Sequence, residues 1–156
     1  MQTNKKVQLF TSQEFKKYIK NKQIYKQVVS TPAGLLEVQA TKDGVFQAAF
    51  VDQTTLHIEA MLKCDTVLLV GTPFQQHVWQ EALAISAGTT LSYHDLAHKI
   101  GKPSAFRAVA NALGANNISY IVPCHRIKRK NGDLGGYAWG LDRKQALLAY
   151  EAVKTT

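Results

Sequence analysis

Alternating apolar and polar positions in the first seventy residues predict β-strands. Residues 35–40 and 45–50 follow that alternation, and the residue types of 24–29 are also typical of a strand. The segment Lys42-Asp43-Gly44 lies between the two alternating segments and is typical of a hairpin turn. The apolar positions of residues 54–62 instead fall at helical spacing. We therefore predict a small antiparallel sheet with one helix in this part of the chain.

The pattern changes to helical spacing after residue 71. Thr72 is suited to cap a helix and Pro73 to occupy its first turn. The apolar stripe that follows predicts a helix to about residue 86, with Gly88 as its stop. We predict two domains, residues 1–71 and 72–156, of which the second is mostly helical. The fold class is therefore α+β.

Two further helices are predicted close together in the second domain. The first runs from residue 92 or 93 to 100 and ends at the turn Gly101-Lys102-Pro103. Ser104 is predicted to cap the second, which runs to Leu113 and is stopped by Gly114. Two short helices joined by a turn that contains glycine form the helix-turn-helix pattern.

The residues at the start of the predicted helix that follows Ser104 favour contact with nucleic acid. A helical hairpin without any DNA-binding role is the commoner structure. Here, however, Arg107 lies in the first turn, with the small residues Ala105 and Ala108 beside it. Small side chains allow a helix backbone to approach a groove closely, and an arginine reaches into it.

A cysteine with reactive surroundings follows an apolar segment. Residues 118–122 are β-branched and apolar, which predicts a short buried strand that leads into Pro123-Cys124-His125-Arg126. We expect the flanking histidine and arginine to lower the pKa of the Cys124 thiol and so favour the nucleophilic thiolate. Cys64 has no comparable neighbours, and we interpret it as an inert cysteine.

Composition narrows the partners and the compartment. Hydrophobic residues form 46% of the 156 residues, which makes disorder improbable on composition. A formal charge of +8 favours a polyanionic partner. Two cysteines are too few for a secreted disulfide framework. With no apolar run of about 20 residues and no signal-peptide pattern, we expect a cytoplasmic protein that contacts no membrane.

The motifs of the second domain together resemble those of the O6-alkylguanine-DNA alkyltransferase family. The likeness is dense over residues 71–151 and loose before them. It is carried by Pro123-Cys124-His125-Arg126 after Ile121-Val122, and by further spaced motifs: Gly71-Thr72-Pro73-Phe74-Gln75, Val78-Trp79, Ser92-Tyr93, Ala97, Gly101-Lys102-Pro103, Arg107-Ala108-Val109, Asn116, Gly132, Gly136-Tyr137 and the final helix from Lys144 to Glu151.

The resemblance implies both a reaction and the residues that perform it. Cys124 would accept the alkyl group of O6-alkylguanine, or of O4-alkylthymine, in double-stranded DNA, irreversibly and once. His125 would act as general base through a water molecule, with Glu151 orienting it. Tyr93 would donate its hydroxyl to the leaving guanine. Asn116 would hold the turn before the cysteine.

The resemblance also implies the binding surfaces and the origin of the first domain. Arg107 would fill the space left by the flipped nucleotide. Other DNA contacts would come from Ser92, Tyr93, Ala105 and Ala108, and the base pocket would be lined by Leu113, Tyr137, Ala138 and Trp139. Trp139 would narrow that pocket. The N-terminal sheet would be a remnant of a ribonuclease-H-like fold, and the protein would be a monomer.

Cofactors and metals are not expected. The first seventy residues hold one cysteine and one histidine, and His94 with His98 would make a poor site. Two alternatives to the alkyltransferase remain. One is a non-catalytic binder of alkylated DNA, which the presence of Cys124, His125, Asn116 and Glu151 disfavours. The other is a cysteine hydrolase, which the predicted helix-turn-helix disfavours.

Overall fold

The computed structural model describes residues 5–52 and 65–155, in which helices pack against a five-stranded sheet. The strands of this sheet are β1 (Lys6–Phe10), β2 (Tyr25–Thr31), β3 (Gly34–Thr41), β4 (Gly44–Val51) and β5 (Thr66–Val70), and a second sheet pairs β6 (Leu91–Ser92) with β7 (Ile127–Lys128). The helices are α1 (Ser12–Ile19), α2 (Pro73–Leu83), α3 (Tyr93–Lys99), α4 (Phe106–Gly114) and α5 (Leu141–Lys154), with a 3₁₀ turn at Cys124–Arg126. Among these helices, none has the length and apolar character required to cross a lipid bilayer.

The large sheet is mixed, and the expectation of a purely antiparallel sheet is wrong. Its strand order is β1-β5-β4-β3-β2. The strands β2, β3 and β4 form the predicted antiparallel meander. However, β5 is parallel both to β4 and to β1, pairing Lys6 with Thr66. Parallel partners lie far apart in sequence and leave no turn signal between them. The predicted helix at 54–62 and Cys64 lie outside the described residues.

The cap predicted for α2 is confirmed, and α3 has a cap of the same kind. Thr72 and Gln75 form a reciprocal capping box at α2, with Pro73 in its first turn. Ser92 and Asp95 form a second box at α3. Such side chains satisfy backbone amides that have no partner within the helix.

The prediction that Ser104 caps α4 is wrong. α4 begins at Phe106, and its N-cap is Ala105, which makes no side-chain capping bond. Ser104 lies in a turn that the Ala105 amide closes by donating to the Lys102 carbonyl at 2.9 Å. Gly114 is the last residue of α4. The helix therefore starts one residue later than a cap at Ser104 would place it.

One hydrophobic core joins the sheet to the helices. Trp79 of α2 is buried in it, and its indole N–H donates to the Ala112 carbonyl of α4 at 2.8 Å. The segment after α4 is attached to the sheet through Ala48 of β4. Ala48 donates to the Asn117 carbonyl at 2.9 Å and accepts from the Ser119 amide at 3.0 Å. These bonds fix the chain that leads to Cys124 against the sheet.

The strand predicted at residues 118–122 is also wrong. Only Ile118 forms a bridge, to Ala48, after which the backbone turns back on itself. The Val122 amide donates to the Ile118 carbonyl at 2.9 Å, and Tyr120 adopts a positive φ of 67°. Ile118 and Val122 are buried as predicted, but their burial arises in a compact turn.

Candidate active site

Asn116 holds the turn that presents Cys124. Its amide nitrogen donates to the Val122 carbonyl at 3.2 Å and to Sγ of Cys124 at 3.1 Å. Its side-chain oxygen accepts from the Ile118 amide at 2.9 Å. Because one side chain bonds both ends of the turn and the sulfur, Asn116 fixes where the thiol points.

The pKa of the Cys124 thiol is raised, contrary to the expectation from its neighbours in sequence. Burial raises this pKa to about 12, and it outweighs the hydrogen bond from Asn116 and the charge of Lys144, which act to lower it. The expected cations do not face the sulfur, since the side chains of His125 and Arg126 both bond to Glu151. Cys124 is therefore a neutral thiol at rest and needs a base.

The two residues that follow Cys124 belong to a largely buried charge network. Nε2 of His125 is 2.8 Å from Oε1 of Glu151, and the His125 side chain is fully buried. Arg126 binds the same carboxylate with Nη2 at 2.7 Å and Nε at 2.9 Å, and its Nη1 donates to the Ile85 carbonyl. The structure thus brings together the predicted pair His125 and Glu151, and it adds Arg126.

The network fixes the charge on Glu151. Burial acts to raise the pKa of this carboxyl, but hydrogen bonds from His125 and Arg126 outweigh it and lower the pKa to about 2. Glu151 is therefore ionised at neutral pH. Nδ1 of His125 is buried and has no hydrogen-bond partner among the described residues. That nitrogen is available for a proton or a bridging water molecule.

A cavity of ≈ 410 Å³ opens over Cys124. All the predicted pocket residues line it, as do three of the predicted catalytic residues, Tyr93, Asn116 and Cys124. The lining comprises Tyr93, Ala110, Asn111, Leu113, Gly114, Asn116, Ser119, Cys124, Gly136, Tyr137, Ala138 and Trp139.

Trp139 is both a wall of this cavity and an anchor of its loop. Its indole N–H donates to the Ser119 hydroxyl, and its ring packs edge-on against Phe50 with centroids 6.0 Å apart. These contacts attach residues 137–139 to the core. That Trp139 excludes larger adducts stays a prediction.

Tyr93, the first residue of α3, borders the cavity together with a glycine loop. A Cβ at Gly135 would lie 2.8 Å from the Tyr93 hydroxyl, and Gly135 has a φ of +70°. Glycine is thus required there both for space and for backbone conformation. Burial and the neighbouring Cys124 raise the pKa of the Tyr93 hydroxyl, which keeps it protonated as a donor.

Lys144 supports the same loop, and the sequence reasoning assigned it no role in the site. Its side chain is fully buried in α5 and donates to the carbonyls of Ile127, Leu134 and Gly136. Burial lowers the pKa of Lys144 to about 8. One signal could have found it: Lys144 shares a helical face with the buried Leu147 and with Glu151.

A second cavity of ≈ 530 Å³ adjoins the first, and the two share Tyr93, Ala110 and Gly136. Arg107 lines it and is exposed. The guanidinium lies 5.7 Å from the centroid of the Phe106 ring. That ring stacks on His94 at a centroid distance of 4.2 Å. Aromatic packing therefore supports the arginine.

Of the other predicted DNA contacts, Tyr93 lines both cavities, whereas Ser92, Ala105 and Ala108 line neither. Ala105 and Ala108 flank Arg107 at the start of α4, where Ala108 is exposed. The Ser92 hydroxyl is already bonded to Asp95 at 2.7 Å, in the cap of α3. For the described ranges, no group of three or more metal-ligating side chains is found.

Within residues 5–52 and 65–155, these features define a protein with a thiol at a cavity, a histidine–carboxylate pair that begins at the next residue and a pair of short helices beside the pocket. The sequence model described as "6-O-methylguanine DNA methyltransferase, DNA binding domain" matches residues 73–153. The chain belongs to this family.

Relatives and solved structures agree. The methylated-DNA–protein-cysteine methyltransferase of Salmonella typhimurium is 42% identical over 118 residues, which are 76% of this chain and 68% of that protein. The bifunctional transcriptional activator/DNA repair enzyme Ada of Escherichia coli is 55% identical over 82 residues, 53% of this chain. The match spans only 23% of Ada. The structure of Mycobacterium tuberculosis OGT in complex with DNA has a TM-score of 0.71 and 32% identity, covering 83% of this chain and 93% of that one.

Proposed function

We propose that this protein repairs DNA by transferring the alkyl group of O6-alkylguanine, and of O4-alkylthymine, to the sulfur of its own Cys124. The observation that carries the proposal is the placement of the thiol at the cavity of ≈ 410 Å³, with the next residue, His125, bound to Glu151 at 2.8 Å. The relatives named for methylated-DNA–protein-cysteine methyltransferase activity support the same reaction. No cofactor takes part.

The first step removes the thiol proton. With a pKa of about 12, Cys124 holds its proton at neutral pH, so a base must take it during the reaction. Nδ1 of His125 accepts it through a water molecule, and the ionised Glu151 stabilises the resulting imidazolium. Glu151 also fixes the tautomer of the neutral ring, since its carboxylate accepts the Nε2 proton.

The second step moves the alkyl group. The thiolate attacks the alkyl carbon, a sulfur–carbon bond forms, and the bond from that carbon to O6 breaks with its electron pair leaving on guanine. The Tyr93 hydroxyl donates to the guanine ring as this charge develops. The product is a thioether, and the part of the cavity wall described here offers no second thiol to remove it. Each molecule therefore reacts once.

We also propose that α3, its turn and α4 act as a helix-turn-helix on double-stranded DNA. The O6 atom lies inside the duplex, so the nucleotide must be flipped out before reaction. Arg107 occupies the vacated space, with Phe106 behind it. Ser92, Ala105 and Ala108 contact the backbone beside it. The structure of the Mycobacterium tuberculosis protein with DNA supports this partner.

Four further assignments belong to the same proposal. The chain divides into residues 1–71 and 72–156, although one core crosses that boundary. The first part is a remnant of a ribonuclease-H-like fold, to which the meander β2-β3-β4 followed by parallel strands is suited. The protein works as a monomer and in the cytoplasm.

Mass spectrometry after mixing the protein with an O6-methylguanine oligonucleotide tests the reaction. We expect a permanent gain of one methyl group on the Cys124 peptide, with one lesion removed per protein molecule. DNA binding without any mass gain would indicate a non-catalytic binder. Turnover of peptides or esters without alkylation would indicate a cysteine hydrolase.

Replacing Arg107 by alanine is expected to slow repair of duplex DNA more than reaction with a free O6-alkylguanine base. The reason is that filling the vacated stack matters only where a stack exists. The duplex rate should fall on the order of tenfold or more, about 1.4 kcal/mol of barrier. Single-turnover rates on both substrates measure it, with Lys26→Ala on the exposed sheet edge as the control for lost charge. Equal losses on both substrates would assign Arg107 to the chemistry or the fold.

A further inference from the structure

A basic turn follows β7 and faces the surface that carries Arg107. We define the basic turn as residues 128–133, Lys-Arg-Lys-Asn-Gly-Asp. Its first residue, Lys128, pairs with Ser92 in the small sheet, which attaches the turn to the start of α3. Arg129 and Lys130 follow at the exposed end.

The turn is held in shape by its own hydrogen bonds. The Arg129 amide donates to the Asp133 carbonyl at 2.8 Å, and the Gly132 amide donates to the Arg129 carbonyl at 3.0 Å. The Asn131 and Asp133 side chains bond each other at 2.9 Å. Gly132 adopts a φ of +92°, which favours glycine. Arg129 and Lys130 thus project from a fixed backbone.

Two of the three cations of the basic turn, Arg129 and Lys130, form no ion pair with the described part of the protein. The ion pairs of residues 5–52 and 65–155 include neither Arg129 nor Lys130. Lys130 helps to lower the pKa of the Asp95 carboxyl, but Asp95 is already bonded to Ser92 in the cap of α3. Exposed cations without a carboxylate partner suit a polyanion.

Arg129 and Lys130 line the cavity of ≈ 530 Å³, with Arg107 of α4 on another part of its wall. This cavity meets the Cys124 cavity at Tyr93 and Gly136. A base that occupies the Cys124 cavity remains bonded to its sugar, whose two phosphates must stay outside. The adjoining cavity lies between α4 and the basic turn, at the mouth that the two cavities share.

We propose that Arg129 and Lys130 bind the backbone phosphates that flank the flipped nucleotide on the lesion strand. The inference rests on the proposed function. The basic turn then forms a second contact with the DNA. Arg107 of α4 fills the space that the flipped base leaves in the stack, and the basic turn binds the lesion strand from the other side. Arginine and lysine are the side chains that bind phosphate in protein–DNA contacts.

Salt dependence of duplex binding tests the proposal. Each phosphate contact adds about 0.9 to the slope of log affinity against log salt concentration. The double variant Arg129→Gln/Lys130→Gln should therefore lower the slope by roughly 1 to 2. The matched control is Lys16→Gln/Lys17→Gln, which removes the same charge from exposed positions of α1. A slope equal in the two double variants would overturn the proposal.

A neutral backbone linkage locates the contact. A methylphosphonate next to the lesion should slow repair by the wild-type protein and have much less effect on the double variant, because the contact is already lost. Independent losses in both proteins would overturn the placement at these phosphates. In the double variant, the rate of reaction with the free O6-alkylguanine base should fall less than the rate with duplex DNA. Equal falls in the two rates would indicate structural damage and count against the proposal. Failure of the proposed function has a separate sign: wild-type Cys124 would gain no alkyl group.

Discussion

Replacing Cys124 by serine is expected to reduce alkyl transfer below detection while duplex binding stays close to that of the wild-type protein. The serine hydroxyl fits the same turn and can accept the hydrogen bond from Asn116. An alcohol is nevertheless a far weaker acid and nucleophile than a thiol, and His125 cannot deprotonate it sufficiently. Arg107 and the basic turn lie at the adjoining cavity, so the DNA contacts persist. Mass spectrometry and a duplex binding titration measure the two outcomes.

The second cysteine of the chain provides the control for this substitution. Cys64→Ser makes the identical chemical change, and we expect it to leave one alkyl group per molecule on Cys124. If Cys64→Ser abolished transfer while Cys124→Ser retained it, the alkyl acceptor would be Cys64 and not Cys124. Transfer by Cys124→Ser at a rate near that of the wild-type protein would contradict the mechanism itself.

The helices beside the site could be predicted because their signals are local. Thr72 with Gln75, and Ser92 with Asp95, stand three residues apart and cap the helix that follows them. The motif around Cys124 is local as well. Its companions lie far away in sequence, and the family resemblance was needed to connect them.

The sheet could be predicted only where a hairpin joins its strands. The meander β2-β3-β4 has turns between short alternating segments. The parallel strands β1 and β5 pair across most of the first seventy residues, and no hairpin turn joins β5 to either of its partners. Residues 118–122 have a strand-like composition, yet Asn116 supplies bonds to their backbone that a neighbouring strand would otherwise provide.

The electrostatics of the site could not be predicted from sequence neighbours. Adjacent residues point in different directions, so His125 and Arg126 turn to Glu151 on α5 while Cys124 faces the cavity. For this reason the prediction that the Cys124 pKa is lowered was wrong. Lys144 illustrates the same limit: a lysine on a helix is usually solvent-exposed, and its burial depends on the loop that folds over it.

Glu151 accepts hydrogen bonds from both His125 and Arg126 in a largely buried position. It is the sole carboxylate that the described residues pair with Arg126, and the same oxygen binds His125. Removing its charge leaves a largely buried guanidinium without a counter-ion. Loss of one partner of a buried ion pair costs about 3–5 kcal/mol. The proposed base also loses the group that orients it.

Glu151→Gln is therefore expected to lower the free energy of unfolding at pH 7 by about 3 kcal/mol or more and to slow alkyl transfer about 10²-fold or more. The stability difference should depend on pH in one direction. The pKa of Glu151 is about 2 in the folded protein and near 4.5 without its partners. A lowered carboxyl pKa stabilises the fold above pH 4.5, and that stabilisation is lost as pH falls towards 2.

Urea unfolding of the wild-type protein and the variant at several pH values between 2 and 7 measures this dependence. Asp142→Asn is the matched control, because it makes the same change of charge at an exposed position in the first turn of the same helix. We expect the control to lose little stability and to transfer alkyl groups at the wild-type rate. A Glu151→Gln variant whose stability deficit stayed constant down to pH 2 would contradict the buried ion pair. A deficit that faded with acid, together with an undiminished transfer rate, would show that Glu151 serves the fold and that His125 needs no orienting partner.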